Sequence, residues 1–194
     1  LPISRRVVLA GLAPDRGRVL KAVNCGGPAA YGKDGVEYEA DHGFYAEKGF
    51  QEPPGCCSAN MPSDEKEVYR WCRQNKGAFG YRFPMPNGPV TVTLKFCEVT
   101  FGSPGERVFD VYVNGRPVLK DYDILKRTGS MGKPDKDLVV FAQVDHRELD
   151  VRLAPTGKGK MPALSGLLVR EHQAPAAAAA AGGGALSSCL LASA

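Results

Sequence analysis

The sequence predicts an all-β fold, an antiparallel β-sandwich in a single domain. Three observations carry that prediction. Apolar and polar residues alternate over short runs, Gly, Pro and Asn separate the runs, and no long amphipathic helix interrupts them. A chain of 194 residues suits one domain with a real core and extra segments at its ends.

The elements follow in order. "VLKAVN" (19–24) reads as the first strand of the domain. The next segment, "GGPAAYGKDG" (26–35), runs G-x-x-x-x-G-K from Gly27, close to a phosphate-binding loop. Three features oppose that reading. Asp34 stands where a hydroxyl would meet magnesium, Pro28 removes one N–H from the cradle, and a turn and strand follow instead of a helix. The segment therefore reads as a winding loop, with Asp34-Gly35 as a turn into "VEYEA" (36–40), which alternates. "FGYRF" (79–83) alternates and is broken by "PMPNGP". "VTVTLKFCEV" (90–99) puts Val90, Val92, Leu94 and Phe96 on a buried face and Thr91, Thr93 and Lys95 on a wetter one. "RVFDVYV" (107–113) runs into Asn114-Gly115, which suits a two-residue type I′ hairpin. "LVVFAQV" (138–144) and "ELDVRLA" (148–154) read as a further pair around "DHR", and "ALSGLLV" (163–169) closes the domain.

Composition excludes several function classes. Hydrophobic content of 43% and charged content of 24% are ordinary for a globular protein. The net charge of +4, from 25 basic and 21 acidic residues, is too mild and too interspersed for a nucleic-acid partner. No apolar run in the first 170 residues is long enough for a membrane span. The chain starts at Leu1 rather than Met, so the lack of a signal peptide says nothing about its route. No N-x-S/T sequon is present, which leans away from a surface glycoprotein.

Six cysteines occur, at 25, 56, 57, 72, 97 and 189, without C-x-x-C or H-x-x-x-H spacing, so neither a zinc site nor another cofactor is expected. Cys25 and Cys97 fall in strand-like runs and read as small buried hydrophobes. Cys56 or Cys57 could pair with Cys72, a choice that spacing leaves open. After His172 the composition changes. Residues 173–194 carry no charge and contain an alanine run at 176–181, followed by three glycines. This tail reads as a flexible linker in preference to a lipid-anchor signal. The organisation is an N-terminal segment (1–18), a sandwich domain (19–170) and an Ala/Gly-rich tail (171–194).

Read whole, "AVNCGGPAAYGKDGVEYEADHGF" resembles the opening of malectin and malectin-like domains. The resemblance continues in order through "VYRWCRQNKGAFGYRFP", "TVTLKFCEVTF", "RVFDVYVNG" and "VLKDYDI", and into "ELDVRLAPTGKGKMPALSGLLV". It covers residues 19 to 170. It implies a sandwich of jelly-roll type and a non-enzymatic carbohydrate-binding module. Animal members recognise the terminal diglucose of immature N-glycans in the endoplasmic reticulum, and related domains occur in plant receptor kinases and some kinesins. An oligosaccharide or a glycoprotein glycan is the implied partner, in the endoplasmic reticulum lumen or outside the cell. The alternative is a structural or protein-interaction domain that has lost the sugar pocket, with protein partners in a larger cytoplasmic or ciliary assembly.

The family's pocket uses loop aromatics and one acid. Sugar rings offer C–H faces to aromatic rings, and an acid accepts from hydroxyls. By resemblance, Phe101 matches a pocket aromatic. Thr100 and Gln74 stand where the pocket has tyrosines, and Lys160 where it has the acid. Tyr45 and Phe50 are candidates for the remaining aromatic. Trp71 is the only tryptophan, and Tyr69 shares its face if that segment is extended, which would make a sugar platform; Trp71 serves equally as a core residue. The candidate carbohydrate-binding residues are Phe101, Trp71, Tyr69 and Gln74. No catalytic set is read. Asp110, Asp121 and Asp123 fall at strand positions where polar contacts explain them better than glycoside chemistry or calcium. His42, His146 and His172 are scattered, and "GKGK" (157–160) with Arg152 reads as a solvated loop.

Overall fold

The computed structural model describes residues 8–9, 17–47, 55–56, 66–157 and 161–172. The first half of the chain forms β1 (Val8–Leu9), β2 (Val19–Asn24), β3 (Ala30–Tyr31), β4 (Glu37–Tyr38), β5 (Phe44–Ala46) and β6 (Gly55–Cys56). Then come α1 (Lys66–Tyr69), β7 (Trp71–Gln74), β8 (Phe79–Pro84), β9 (Gly88–Lys95), β10 (Phe109–Val113) and β11 (Arg116–Tyr122). The last elements are α2 (Ile124–Thr128), β12 (Leu138–Val144), β13 (Glu148–Pro155), β14 (Ala163–Leu164) and β15 (Gly166–Glu171). No helix among the described residues is long and apolar enough to cross a membrane.

Two five-stranded antiparallel sheets hold the core. Their orders are β1-β12-β9-β15-β2 and β11-β10-β13-β8-β5. Period-two patterning explains the layering. Val90, Val92 and Leu94 of β9 and Leu167 and Val169 of β15 meet Phe79, Tyr81, Val111, Val151 and Leu153 of the other sheet in one cluster. Asn114 and Gly115, at φ 48 and 71, form the expected two-residue turn, and Val113 pairs with Arg116 across it.

Three expectations change. "LVVFAQV" and "ELDVRLA" are strands, but they do not pair with each other. β12 pairs with β9 and β1, whereas β13 pairs with β10 and β8. Their connection passes from one sheet to the other, so the apolar faces meet across the core instead of lying side by side. The wetter face of β9 is also largely covered. Thr91 is 2% exposed and Lys95 8%. A second cluster of Ala22, Val36, Tyr38, Val68 and Leu168 joins α1 and the β3–β4 segment to that side of the sheet. Finally, "VEYEA" supplies only the two-residue strand β4.

The 26–35 loop packs on β7 through its glycines. Gly26 has φ +81, and a Cβ there would lie 2.8 Å from the Cys72 carbonyl group. A Cβ on Gly27 would lie 2.6 Å from the Trp71 ring. Asp34 closes the turn, accepting from the Val36 N–H at 3.1 Å and the Tyr38 hydroxyl at 3.0 Å. Cys25, Cys72 and Cys97 are buried. Burial pushes the Cys25 thiol up, so it stays protonated and packs as an apolar residue. The side chains of Cys56 and Cys57, and the 173–194 tail, lie outside the described residues.

Asp123 caps α2, accepting from Lys126 N–H at 3.0 Å, while its other oxygen takes the Gly105 N–H at 2.6 Å. Asp123→Ala will therefore lower stability by about 1 kcal/mol for the cap alone. In thermal unfolding that reads as a drop of about 2–4 °C. An unchanged midpoint would refute the capping role.

Candidate functional site

Two chain segments meet beside the end of β7. One is the loop that follows β9, residues 97–106. Glu98, fully buried, turns back into this loop. Its Oε1 accepts from the backbone N–H groups of Val99, Thr100 and Phe101 at 2.9, 2.8 and 3.1 Å. One carboxylate oxygen serving three consecutive amides sets the loop's curvature and the place of Phe101.

Arg107 completes the arrangement. It is 2% exposed and donates from Nε to Glu98 Oε2 at 2.6 Å, and from Nη2 to Glu98 Oε1 at 3.3 Å. Nη2 also donates to Gln74 Oε1 at 3.2 Å, and Nη1 donates to the Met161 carbonyl. The guanidinium carbon lies 4.8 Å from the centre of the Phe101 ring. Two charges taken out of water are costly unless their geometry is good and their other hydrogen bonds are made. Both conditions hold here. Arg107 thus ties together the Phe101 loop, the end of β7 and the segment leading into β14.

Of the residues singled out by sequence, the fold brings Phe101 and Gln74 together through Arg107. Thr100 is exposed beside Phe101. Trp71 is half-buried, with its ring over Gly27. It sits three positions from Gln74 on a strand, so the two point to opposite faces. Tyr69 differs from the sequence expectation. It ends α1 instead of extending β7, is 3% exposed, and packs with Cys97. Its hydroxyl donates to Asp137 Oδ1 at 3.0 Å. The helical turn that ends at Tyr69 leaves Tyr69 and Trp71 without a common face.

Tyr45 lies on β5, where its ring crosses Gly80 and its hydroxyl donates to Asp150 at 2.6 Å. Phe50 and Lys160 lie outside the described residues. Asp110 accepts from the Tyr112 hydroxyl at 3.1 Å, from Asp121 N–H at 3.0 Å and from Lys120. Among the described residues no group of three or more His, Cys, Asp or Glu side chains could hold a metal ion.

Sequence reasoning missed Glu98 and Arg107. Their signal was a lone acid at the end of one apolar run and a lone base opening the next, nine residues later. It also missed Met131, which is 48% exposed and lies 4.0 Å from where a Cβ on Gly102 would stand. The loop bearing Met131 is tied to the site by the Gly132 N–H donating to the Glu98 carbonyl at 2.8 Å.

These features define a β-sandwich module whose rigid sheets carry the candidate site on connecting loops. The chain belongs to the malectin family: the Malectin domain model matches residues 19–164. It is 35% identical over 118 residues to Malectin-B of Xenopus laevis, covering 58% of this chain and 41% of the relative. It is 35% identical over 140 residues to Malectin of Mus musculus, covering 69% and 46%. The chain thus spans less than half the length of these relatives. Among solved structures, the ANXUR1 extracellular domain from Arabidopsis thaliana superposes with TM-score 0.70 at 19% identity, over 87% of this chain and 54% of that one. The plant peptide RALF23 complex with FER and LLG2 contains a chain at TM-score 0.66 and 21% identity, covering 78% and 48%. At such identities the likeness concerns the fold alone.

Proposed function

We propose that this chain is a non-catalytic carbohydrate-binding module of the malectin type, holding a gluco-oligosaccharide-like ligand on its loops without turnover. The observation that carries this reading is the convergence of Phe101 and Gln74 on Arg107, at positions the family resemblance assigns to the sugar pocket. An aromatic ring and an amide that share the Arg107 guanidinium as neighbour suit a ligand with C–H faces and hydroxyls. Trp71, behind the loop of glycines, supports the strand that bears Gln74. Tyr69 supports the same region through Asp137. The kinship with malectins favours the endoplasmic reticulum lumen or the extracellular space.

A titration with gluco-oligosaccharides, followed by the amide shifts of the whole domain, tests the reading. Shifts confined to the Phe101 loop, lost in Phe101→Ala, are the expected result. No response up to millimolar sugar would overturn it. A second reading, a protein-interaction domain within a larger cytoplasmic or ciliary assembly, is favoured by Thr100 and Gln74 in place of pocket tyrosines and by the exposed Met131 beside the site. A silent sugar titration together with retention of a protein partner, lost in Met131→Asp, would establish that reading instead.

A further inference from the structure

Residues 124–136, which form α2 and the loop after it, carry the cations Lys126, Arg127, Lys133 and Lys136 against a single acid, Asp135. That acid is turned inward. Its side chain is 8% exposed and accepts from the Tyr122 hydroxyl, Arg127 Nε and the Lys136 N–H at 2.6, 2.6 and 2.8 Å. The flanking acids are occupied as well. Asp123 takes the N–H groups of Gly105 and Lys126, and Asp137 takes Lys95 Nζ and the Tyr69 hydroxyl. Lys126, Lys133 and Lys136 are exposed, and their side chains meet no acid among the described residues. Acids consumed below the surface and cations left above it give this face a positive local field, although the net charge of the chain is only +4.

The loop is held in shape from both ends. The Gly129 N–H bonds to the Leu125 carbonyl and the Gly132 N–H to the Glu98 carbonyl, both at 2.8 Å, and the Asp135 N–H bonds to the Phe96 carbonyl at 2.9 Å. Met131 lies between these anchors, 48% exposed, with its sulfur 4.0 Å from where a Cβ on Gly102 would stand. A single exposed methionine is ordinary. One carried on a pinned loop with three unpartnered lysines, beside a glycine that adds no side chain, offers an adaptable apolar seat within a cationic rim.

We propose that this face is a docking surface for an acidic peptide segment of a partner protein, one that carries an apolar side chain among its carboxylates. The carboxylates meet Lys126, Lys133 and Lys136, and the apolar side chain packs on Met131 beside Gly102. A peptide fits better than a lipid surface, because one methionine offers too little apolar area to enter a bilayer. The inference rests on the protein-interaction reading, whose partner chemistry it names, and is independent of sugar binding.

Fluorescence anisotropy of the whole chain with the labelled peptide Asp-Glu-Asp-Leu-Glu-Asp-Glu tests it. This peptide binds at least about tenfold more tightly than its counterpart with Lys in place of every acid, and added salt narrows the gap. It also binds about fivefold more tightly than the version with Ser in place of Leu. Lys133→Glu with Lys136→Glu weakens binding at least about tenfold. Met131→Ser abolishes the preference for Leu over Ser while keeping the salt dependence, and it is read alone if the double variant fails to fold. No binding up to millimolar acidic peptide, equal binding of the acidic and lysine peptides, or binding unchanged in both variants would overturn the inference. The protein-interaction reading would then stand or fall on its own test, the retention of a partner lost in Met131→Asp. Binding to mixed phosphatidylcholine and phosphatidylserine vesicles, with none to the peptide, would overturn the inference in favour of a membrane surface.

Discussion

Arg107→Met will lower the unfolding free energy by about 3–5 kcal/mol, the usual cost of stranding one partner of a buried ion pair. Arg107 and Glu98 have side chains 2% and 0% exposed, so water cannot replace the lost partner without opening the loop. The loss is not the value of the pair, because a well-packed apolar pair could fold as stably. It is the penalty for an uncompensated buried carboxylate, together with three contacts released at Gln74, Met161 and Phe101. Single domains are stable by about 5–15 kcal/mol, so this one substitution removes a large fraction of the whole. Urea denaturation checks it: the midpoint falls while the slope stays constant. Arg107→Lys keeps a charge but not the planar fork, and should fall between the two. A loss below about 1 kcal/mol for Arg107→Met would show that the pair is not a structural keystone.

The second large effect is expected at Gly26. Its φ of +81 is unfavourable for a residue with a Cβ, and that Cβ would stand 2.8 Å from both the carbonyl carbon and oxygen of Cys72. The left-handed conformation costs about 1–2 kcal/mol. Overpacking against backbone, which cannot rotate away, adds about 1–3 kcal/mol. Gly35 supplies the control, with φ +72 and nothing within 4 Å of its would-be Cβ. Gly35→Ala should show the conformational cost alone, so Gly26→Ala should melt several degrees lower than Gly35→Ala. Equal melting points would mean that β7 yields to the loop. Because Gly26 backs the strand that presents Gln74, the variant should also weaken ligand binding more than Gly35→Ala does.

Much of the fold was legible because strand patterning is local. Val90, Val92, Leu94 and Phe96 alternate in the chain and all four are buried. Asn114-Gly115 announced its hairpin because few other dipeptides accept positive φ at both positions. The near-match to a phosphate loop was resolved by its neighbours, since its glycines permit a turn and a close approach to Trp71 and Cys72.

Other features lay beyond local pattern. The alternation in β12 and β13 states which side chains face inward but not in which sheet each strand lies, so an apparent hairpin became a crossing between layers. The segment around Tyr69 and Trp71 is too short for periodicity to separate a helical turn from a strand. Burial of Val68 and Tyr69 decided the matter. The sequence by itself determined an all-β sandwich of the malectin family and offered Phe101 and Gln74 as candidates for its site. Only the tertiary structure decided that Arg107 and Glu98 hold those two residues together, because a buried charge is tolerated only where distant segments supply its hydrogen bonds, and the chain brings those segments together only on folding.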